Sequence, residues 1–214
     1  MAKRTQGKPA GLSRERIATA AVDLVDRQGL ELFGVRRLAS ELGVDPMSIY
    51  NHIKGKAALL DAVSEAVLTE VSATVAQWPD DWTDIARAMA RGYRDMAIRH
   101  PRVFPLLATR AQTSAVAFEA LERLTAAMRR AEIPDQTIAD APMVLFAFLN
   151  GYLLAILSAD PEGAGDPATG ATPLAFDPAR YPTLAALAPR QAGFGSQAEF
   201  ERMLETVLAG IAAA

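Results

Sequence analysis

The chain has 214 residues, half of them hydrophobic, so it can bury a sizeable core in one large domain or in a small domain joined to a larger one. It has no cysteine, which excludes disulfides, thiolate nucleophiles and cysteine metal sites. The formal net charge of −3 is uneven, with ten Lys/Arg against six Asp/Glu in residues 1–56 and twelve against nineteen beyond, so a polyanion would meet the head rather than the body, unless both are ordinary solvated surface.

The stretch before Ser13 holds Lys3, Arg4 and Lys8 and no apolar run, so no secretory signal is read there. It reads as a tail, or as an arm that adds minor-groove or phosphate contacts. A first helix is expected over Ser13–Gln28, with Ser13 as N-cap, Ile17, Ala21, Leu24 and Val25 as its stripe and Gly29 as its stop. Two short helices follow around a turn. Leu38, Ala39 and Leu42 share a face of the first, Gly43 supplies the turn, and Asp45 and Pro46 open the second as cap and first residue. From Met47 to His52 that helix carries Ser48, Tyr50, Asn51 and His52, all able to hydrogen-bond to phosphates or bases, and only Ile49 clearly belongs inside. Such a helix is built for contact rather than burial.

From Lys56 a longer helix is expected to reach about Trp78, where Pro79 and two Asp residues end it. Asp81 can cap a helix over Trp82–Arg99, with Ile85, Met89, Tyr93 and Met96 at helical spacing, and His100-Pro101 breaks it. A short segment through Leu107 leads to a helix over Thr113–Ala131, its inner face formed by Phe118, Leu121, Leu124, Thr125 and Met128. The run from Pro142 to Ala159 is apolar almost all round and has the length of a membrane span. Asn150-Gly151 at its centre, Asp140 and Asp160 beside it and the lack of a flanking basic cluster favour a buried helix instead. Residues 160–196 are rich in Gly, Pro and Ala and read as a long, partly mobile connection. The last helix spans Gln197–Ala212, with Phe200, Met203, Leu204, Val207, Leu208 and Ile211 on one side. No strand pattern rises above noise, so the chain is expected to be all-α. The expected division is 1–55 for arm and reading head and 56–214 for the body, with 56–77 as the linking helix.

Ala39, Gly43 and Ile49 stand at the spacing of bacterial helix-turn-helix units. Tyr50, His52, Lys56 and Leu59-Leu60 follow a Tyr-x-His-aliphatic-x-x-Lys-x-x-Leu-Leu pattern. On these residues the segment 35–60 resembles the DNA-binding domain of TetR-type transcriptional regulators. The order of helices beyond it is similar to the tetracycline repressor subgroup, as are Ala108-Thr109-Arg110 and the long loop before the final helix. The resemblance implies a three-helix DNA-binding head and a larger helical domain that binds a ligand and forms a homodimer. One departure matters: the position of the subgroup's metal-bound histidine falls at Leu106, and the only histidines are His52 and His100. A metal–tetracycline effector is therefore not expected, nor any metal or cofactor.

By the same resemblance, Arg36 is a base- or phosphate-contacting residue, and its planar fork suits guanine. Arg37 would pair with phosphate or with an acidic residue. Met47 can touch a thymine methyl or pack on Tyr50, and Ser48 opens the reading helix beside it. Tyr50 and His52 take backbone contacts, although the Tyr50 ring can equally pack on the domain. Asn51 can pair with adenine or simply face water, and Lys54 and Lys56 position the head on phosphates.

The face from Phe200 to Ile211 is expected to meet its copy with the 142–159 helix as a four-helix dimer bundle. The body's Met and aromatic stripe reads as plain core by itself. The resemblance implies a cavity there, which points to Met89, Tyr93, Phe104, Leu107, Arg110, Phe118, Phe146 and Asn150, with Thr109 nearby, as effector contacts. Arg110 can instead pair with Glu119 or Glu122. The leading expectation is a cytoplasmic repressor, released from a palindromic operator by a mainly apolar small molecule. A DNA-binding regulator without an effector is the alternative. A helical enzyme finds no Cys, no paired His and no carboxylate pair on an apolar face to support it.

Overall fold

The computed structural model describes residues 11–75, 77–159, 177–190 and 193–214. These hold ten α-helices and no strand: α1 Arg14–Gln28, α2 Val35–Leu42, α3 Pro46–His52, α4 Gly55–Thr74, α5 Trp82–Arg99, α6 Phe104–Thr109, α7 Ala115–Arg130, α8 Asp135–Ala159, α9 Pro182–Leu187 and α10 Gln197–Ala212. The all-α expectation holds. The chain forms two compact units, one from the described residues up to Thr74 together with Arg99–Glu119, the other from those of Val75–Ile98 and Ala120–Ala214.

In the first unit, α1 begins where the Ser13 hydroxyl accepts from the Arg16 amide at 3.1 Å and stops at Gly29, whose N–H returns to the Val25 carbonyl. Its stripe of Ile17, Ala21, Val22, Leu24 and Val25 is buried, chiefly where α1 packs along α4, whose own Leu59, Ala62, Val63 and Val67 are buried in turn. Each large apolar side chain taken out of water there contributes about 1.5–3 kcal/mol. Arg14–Glu65 at 2.8 Å links α1 to α4, and Arg27–Glu41 at 2.6 Å links α1 to α2. Both pairs are exposed and add roughly 0.2–1 kcal/mol each.

Three helix boundaries differ from expectation. Helix α4 ends at Thr74, short of Trp78, and the Thr74 hydroxyl donates back to the Val71 carbonyl at 2.7 Å. The segment through Leu107 is a helix of its own, α6, which buries Phe104, Leu106 and Leu107 and is closed by the Gln112 amide donating to the Leu107 and Arg110 carbonyls. Helix α8 starts at Asp135, seven residues before Pro142, which lies inside it. The entry proline is Pro134, whose carbonyl accepts from the Ile138 amide at 3.0 Å.

Helix α7 buries Leu124, Ala127 and Met128, but Phe118 is 55% exposed. Six residues at about 100° each carry Phe118 roughly 120° away from Leu124, off the inner face. Of the expected loop 160–196, residues 160–176, 191 and 192 lie outside the described residues, while 182–187 form α9.

In the second unit α10 lies on α8. Ser196 caps it by accepting from the Glu199 amide. Arg87 grips Glu205 through Nε and a terminal nitrogen at 2.6 and 2.8 Å, and Arg91 grips Glu201 in the same bidentate manner at 2.8 Å twice. The numbers rise on α5 as they fall on α10, so the two helices run antiparallel. Phe200, Leu204, Leu208 and Ile211 are buried within the single chain. The expectation that this face meets a second copy is therefore corrected: it is spent on the protomer's own core, with Phe148 of α8 stacked on Phe200 and Tyr152 tilted against it. The face of α10 left open carries Met203, Thr206 and Gly210, and that of α8 carries Met143, Val144, Ala147, Gly151 and Ala155.

Residues 135–158 are apolar and long enough to cross a membrane on length and composition, a test that the core helix of a soluble protein also passes. Here α8 spends one face on Ile138, Ala141, Leu145, Leu149, Leu153 and Ile156 inside the unit.

Leu204→Ala should lower unfolding free energy by about 2–5 kcal/mol in a urea titration, as a cavity in a packed core does. Leu204→Glu should fail to fold rather than yield a folded monomer; a folded monomer in sedimentation would show that this face is not core.

Candidate nucleic-acid interface and effector-contact residues

The turn between α2 and α3 needs one residue at positive φ, and Gly43 supplies it at φ 64° while its N–H closes α2 on the Ala39 and Ser40 carbonyls. Asp45 then caps α3, its carboxylate accepting from the Met47 amide at 2.8 Å, with Pro46 in the first turn. The result is a seven-residue helix anchored by one fully buried side chain, Ile49, and continued by the buried Ile53. Apart from the half-buried Pro46 and Ser48, the rest of it faces outward. Met47 is 64% exposed, Tyr50 38%, and Asn51 and His52 are exposed, with Ser48 half-buried. Lys54 and Lys56 are exposed directly after it, and Arg36 is exposed on α2. A short helix that exposes hydrogen-bonding side chains and an unbranched apolar one, flanked by cations, has the shape and chemistry to enter a major groove.

Arg37 has a partner other than those expected. One of its terminal nitrogens donates to Gln28 Oε1 on α1 at 2.8 Å, a neutral amide and not an acid. That contact holds the side chain against the head yet leaves its charge unpaired among the described residues.

The eight residues expected to line an effector cavity divide between the two units. Met89, Tyr93, Phe146 and Asn150 belong to the second. There the Tyr93 hydroxyl donates to Asn150 Oδ1 at 3.1 Å, and the Tyr93 and Phe146 rings lie 6.4 Å apart. Both Tyr93 and Asn150 are buried, and burial pushes the Tyr93 phenol up. Met89 and Phe146 are half-buried.

Phe104, Leu107, Arg110 and Phe118 belong to the first unit. Phe104 and Leu107 are fully buried, and the Thr109 hydroxyl donates to the Pro105 carbonyl. Arg110 pairs with Asp61 on α4 at 2.6 Å, not with Glu119 or Glu122. Those two acids follow Arg110 in sequence, but α6 packs on α4, which brings Asp61 nearer.

Two buried polar clusters were missed. In the second unit, Glu199 accepts from the Tyr152 hydroxyl at 3.2 Å and from the Gly195 amide at 2.7 Å, while Arg94 donates to the Gly195 carbonyl at 3.0 Å and lies over the Phe200 ring. Its sequence signal was the Ser196-x-x-Glu199 spacing of a capping box. Burial, then the charge of Glu199, pushes the Tyr152 phenol up to about 12. In the first unit, His100 sits between Asp26 and Glu70. No local pattern foretold that meeting, because its members are far apart in sequence.

Two family models match this chain: "Bacterial regulatory proteins, tetR family" over residues 17–63 and "Tetracyclin repressor-like, C-terminal domain" over 76–214. An HTH-type transcriptional regulator of Saccharopolyspora erythraea is 31% identical over 216 residues, which cover 99% of this chain and 89% of that protein. The HTH-type transcriptional repressor DrrR1 of Streptomyces coeruleorubidus is 27% identical over 69% of this chain and 54% of its own. Among solved structures, the Streptomyces coelicolor TetR family protein ActR in complex with actinorhodin superposes with a TM-score of 0.78 at 28% identity, over 95% of this chain and 98% of that one.

The Tyr152 phenol is held above its ordinary value of about 10, so it contributes stability that is complete below that pH and lost as pH rises through about 12. An ultraviolet tyrosinate titration should show two phenols, Tyr93 and Tyr152, ionising late, and Tyr152→Phe should leave only one of them. Unchanged titration in Tyr152→Phe would place the late step elsewhere.

Proposed function

We propose, from the premise that the chain belongs to the tetR family of bacterial regulatory proteins, that it is a homodimeric, cytoplasmic transcriptional repressor that reads a palindromic operator and releases it on binding a mainly apolar small molecule. The observation that carries the reading is α3, which buries Ile49 and turns Met47, Tyr50, Asn51 and His52 outward. In this reading Asn51, Arg36, Met47 and Ser48 meet base edges, while Tyr50, His52, Arg37, Lys54 and Lys56 fix the head on phosphates. The functional division falls at 55/56, with the reading head before it and the effector and dimer body after it. Proteins related to this chain are transcriptional regulators, and we read no enzyme in it.

One head of this size binds weakly, and two related by a two-fold axis engage half-sites about one DNA turn apart. The open faces of α8 and α10 suit that role. Ala147, Gly151 and Ala155 on α8 and Thr206 and Gly210 on α10 are small, so helices can approach closely, and Met143 and Met203 supply adaptable contacts at the edges. Effector contact is placed on the second-unit group Met89, Tyr93, Phe146 and Asn150. The Tyr93–Asn150 pair gives orientation in an otherwise apolar and aromatic wall. ActR, solved in complex with actinorhodin, supports a small-molecule effector by likeness of fold and sequence. An effector of this kind acts by preferring one head separation, and its effect equals its differential affinity for the two states.

The test is enrichment of a palindrome from a random duplex pool, followed by salt-dependent mobility shift. Lys56→Ala should weaken every duplex and lower the salt slope by about one. Asn51→Ala should relax preference at a single base pair by roughly 1–3 kcal/mol. Equal loss across all duplex variants would make Asn51 positional.

For the dimer, Gly151→Leu is informative because no atom stands within 4 Å of an added Cβ in the single chain. The variant should fold at least as well, since leucine favours helix over glycine by up to ~1 kcal/mol, yet sediment as a monomer. An unchanged dimer would move the interface off this face.

A further inference from the structure

We propose that His100 is the centre of a proton-dependent latch that holds α1 of the reading head and α4 in one relative arrangement. This regulation rests on the DNA-binding reading above. The corner between α5 and α6 brings three side chains to the C-terminal end of α1 and to α4. His100 Nδ1 lies 2.5 Å from Asp26 Oδ2 on α1, and Nε2 lies 3.1 Å from Glu70 Oε2 on α4. Arg99 donates to the same Glu70 oxygen at 3.1 Å. Arg102 donates to the Asp26 and Arg27 carbonyls at 3.2 and 2.7 Å, capping the open end of α1 with positive charge where the helix dipole favours it. The His100 carbonyl in turn accepts from the Val103 and Phe104 amides, so the imidazole is fixed to the start of α6.

Proton counting decides what this cluster does. A neutral imidazole has one N–H, and two ionised carboxylates have none, so only an imidazolium donates to both oxygens. Protonated, His100 ties α1 to α4. Neutral, it must release one of them. The charged groups around it are Asp26 on α1 with Asp23 near enough to act on it, Glu70 on α4, and Arg99 and Arg102 on its own corner. His100 is buried, and the second Asp26 oxygen is buried without a partner, so the pair has little water to fall back on. A released head retains its fold through the α1–α4 core but must be ordered again before it can seat α3. Affinity for DNA therefore falls when the latch opens.

The experiment uses the full chain carrying His52→Gln, which leaves His100 as the only imidazole. Ring-nitrogen NMR over a pH series should report at each point whether one or both His100 nitrogens carry a proton. Where one of those protons has been lost, affinity for the tightest duplex recovered from a random pool should be lower by roughly ten- to a hundredfold, the loss expected for one charge-assisted hydrogen bond. Adding His100→Gln should flatten that dependence, while thermal unfolding of both variants checks that the fold survives. Arg102→Gln should lower affinity but keep the pH dependence. An imidazole whose proton count does not change over the series, or the same dependence with and without His100, overturns the latch. Failure of the unsubstituted chain to enrich any duplex sinks the DNA-binding reading instead, and the ring-nitrogen signals decide the latch independently.

Discussion

The packing of α1 along α4 is the constraint on which the reading head depends. The apolar stripe of α1 meets the buried face of α4, the most extensive helix pairing in the first unit. Because the seam supplies the stability, α3 is relieved of core duty. One isoleucine anchors it, and the remaining positions are free to carry side chains selected for contact. A helix of seven residues is marginal alone in water, so it exists here because its cap, its turn glycine and its anchor all meet the same scaffold.

The same economy appears in the second unit, where α8 and α10 each have two distinct faces. One face is large and aromatic and closes the protomer's own core around Phe200. The other is built from small residues with methionine at its edges. Two bidentate arginine–glutamate pairs register α10 on α5, and the buried Glu199 cluster pins the turn that leads into α10. With that much of α10 committed, its remaining open side is narrow and well defined.

Local chemistry was legible where a single residue decides it. Ser13, Gly29, Gly43, Asp45 and Asp81 act as caps or turns through their own backbone and side-chain geometry, and the structure has each where its neighbours require it. The exposed reading helix was legible for a related reason: a helix with one apolar residue cannot be buried. What failed needed knowledge of a neighbour. Phe118 lies off the inner face of α7, Arg110 turns to Asp61 across to α4, and Pro142 sits inside a helix that Pro134 opens. Two apolar faces on one helix look alike in sequence, so the Phe200–Ile211 face was assigned to a partner when its own chain already covered it.

The sequence by itself determined the all-α class, the cap and turn positions, and the identity of the side chains offered to a polyanion, because each follows from periodicity or from one residue's chemistry. Only the tertiary structure decided which apolar face is core, which arginine has a partner, and that residues 26, 70 and 100 share one buried cluster. Those are properties of distance in space, set by how helices cross, and no local pattern along a chain encodes which distant charges will meet.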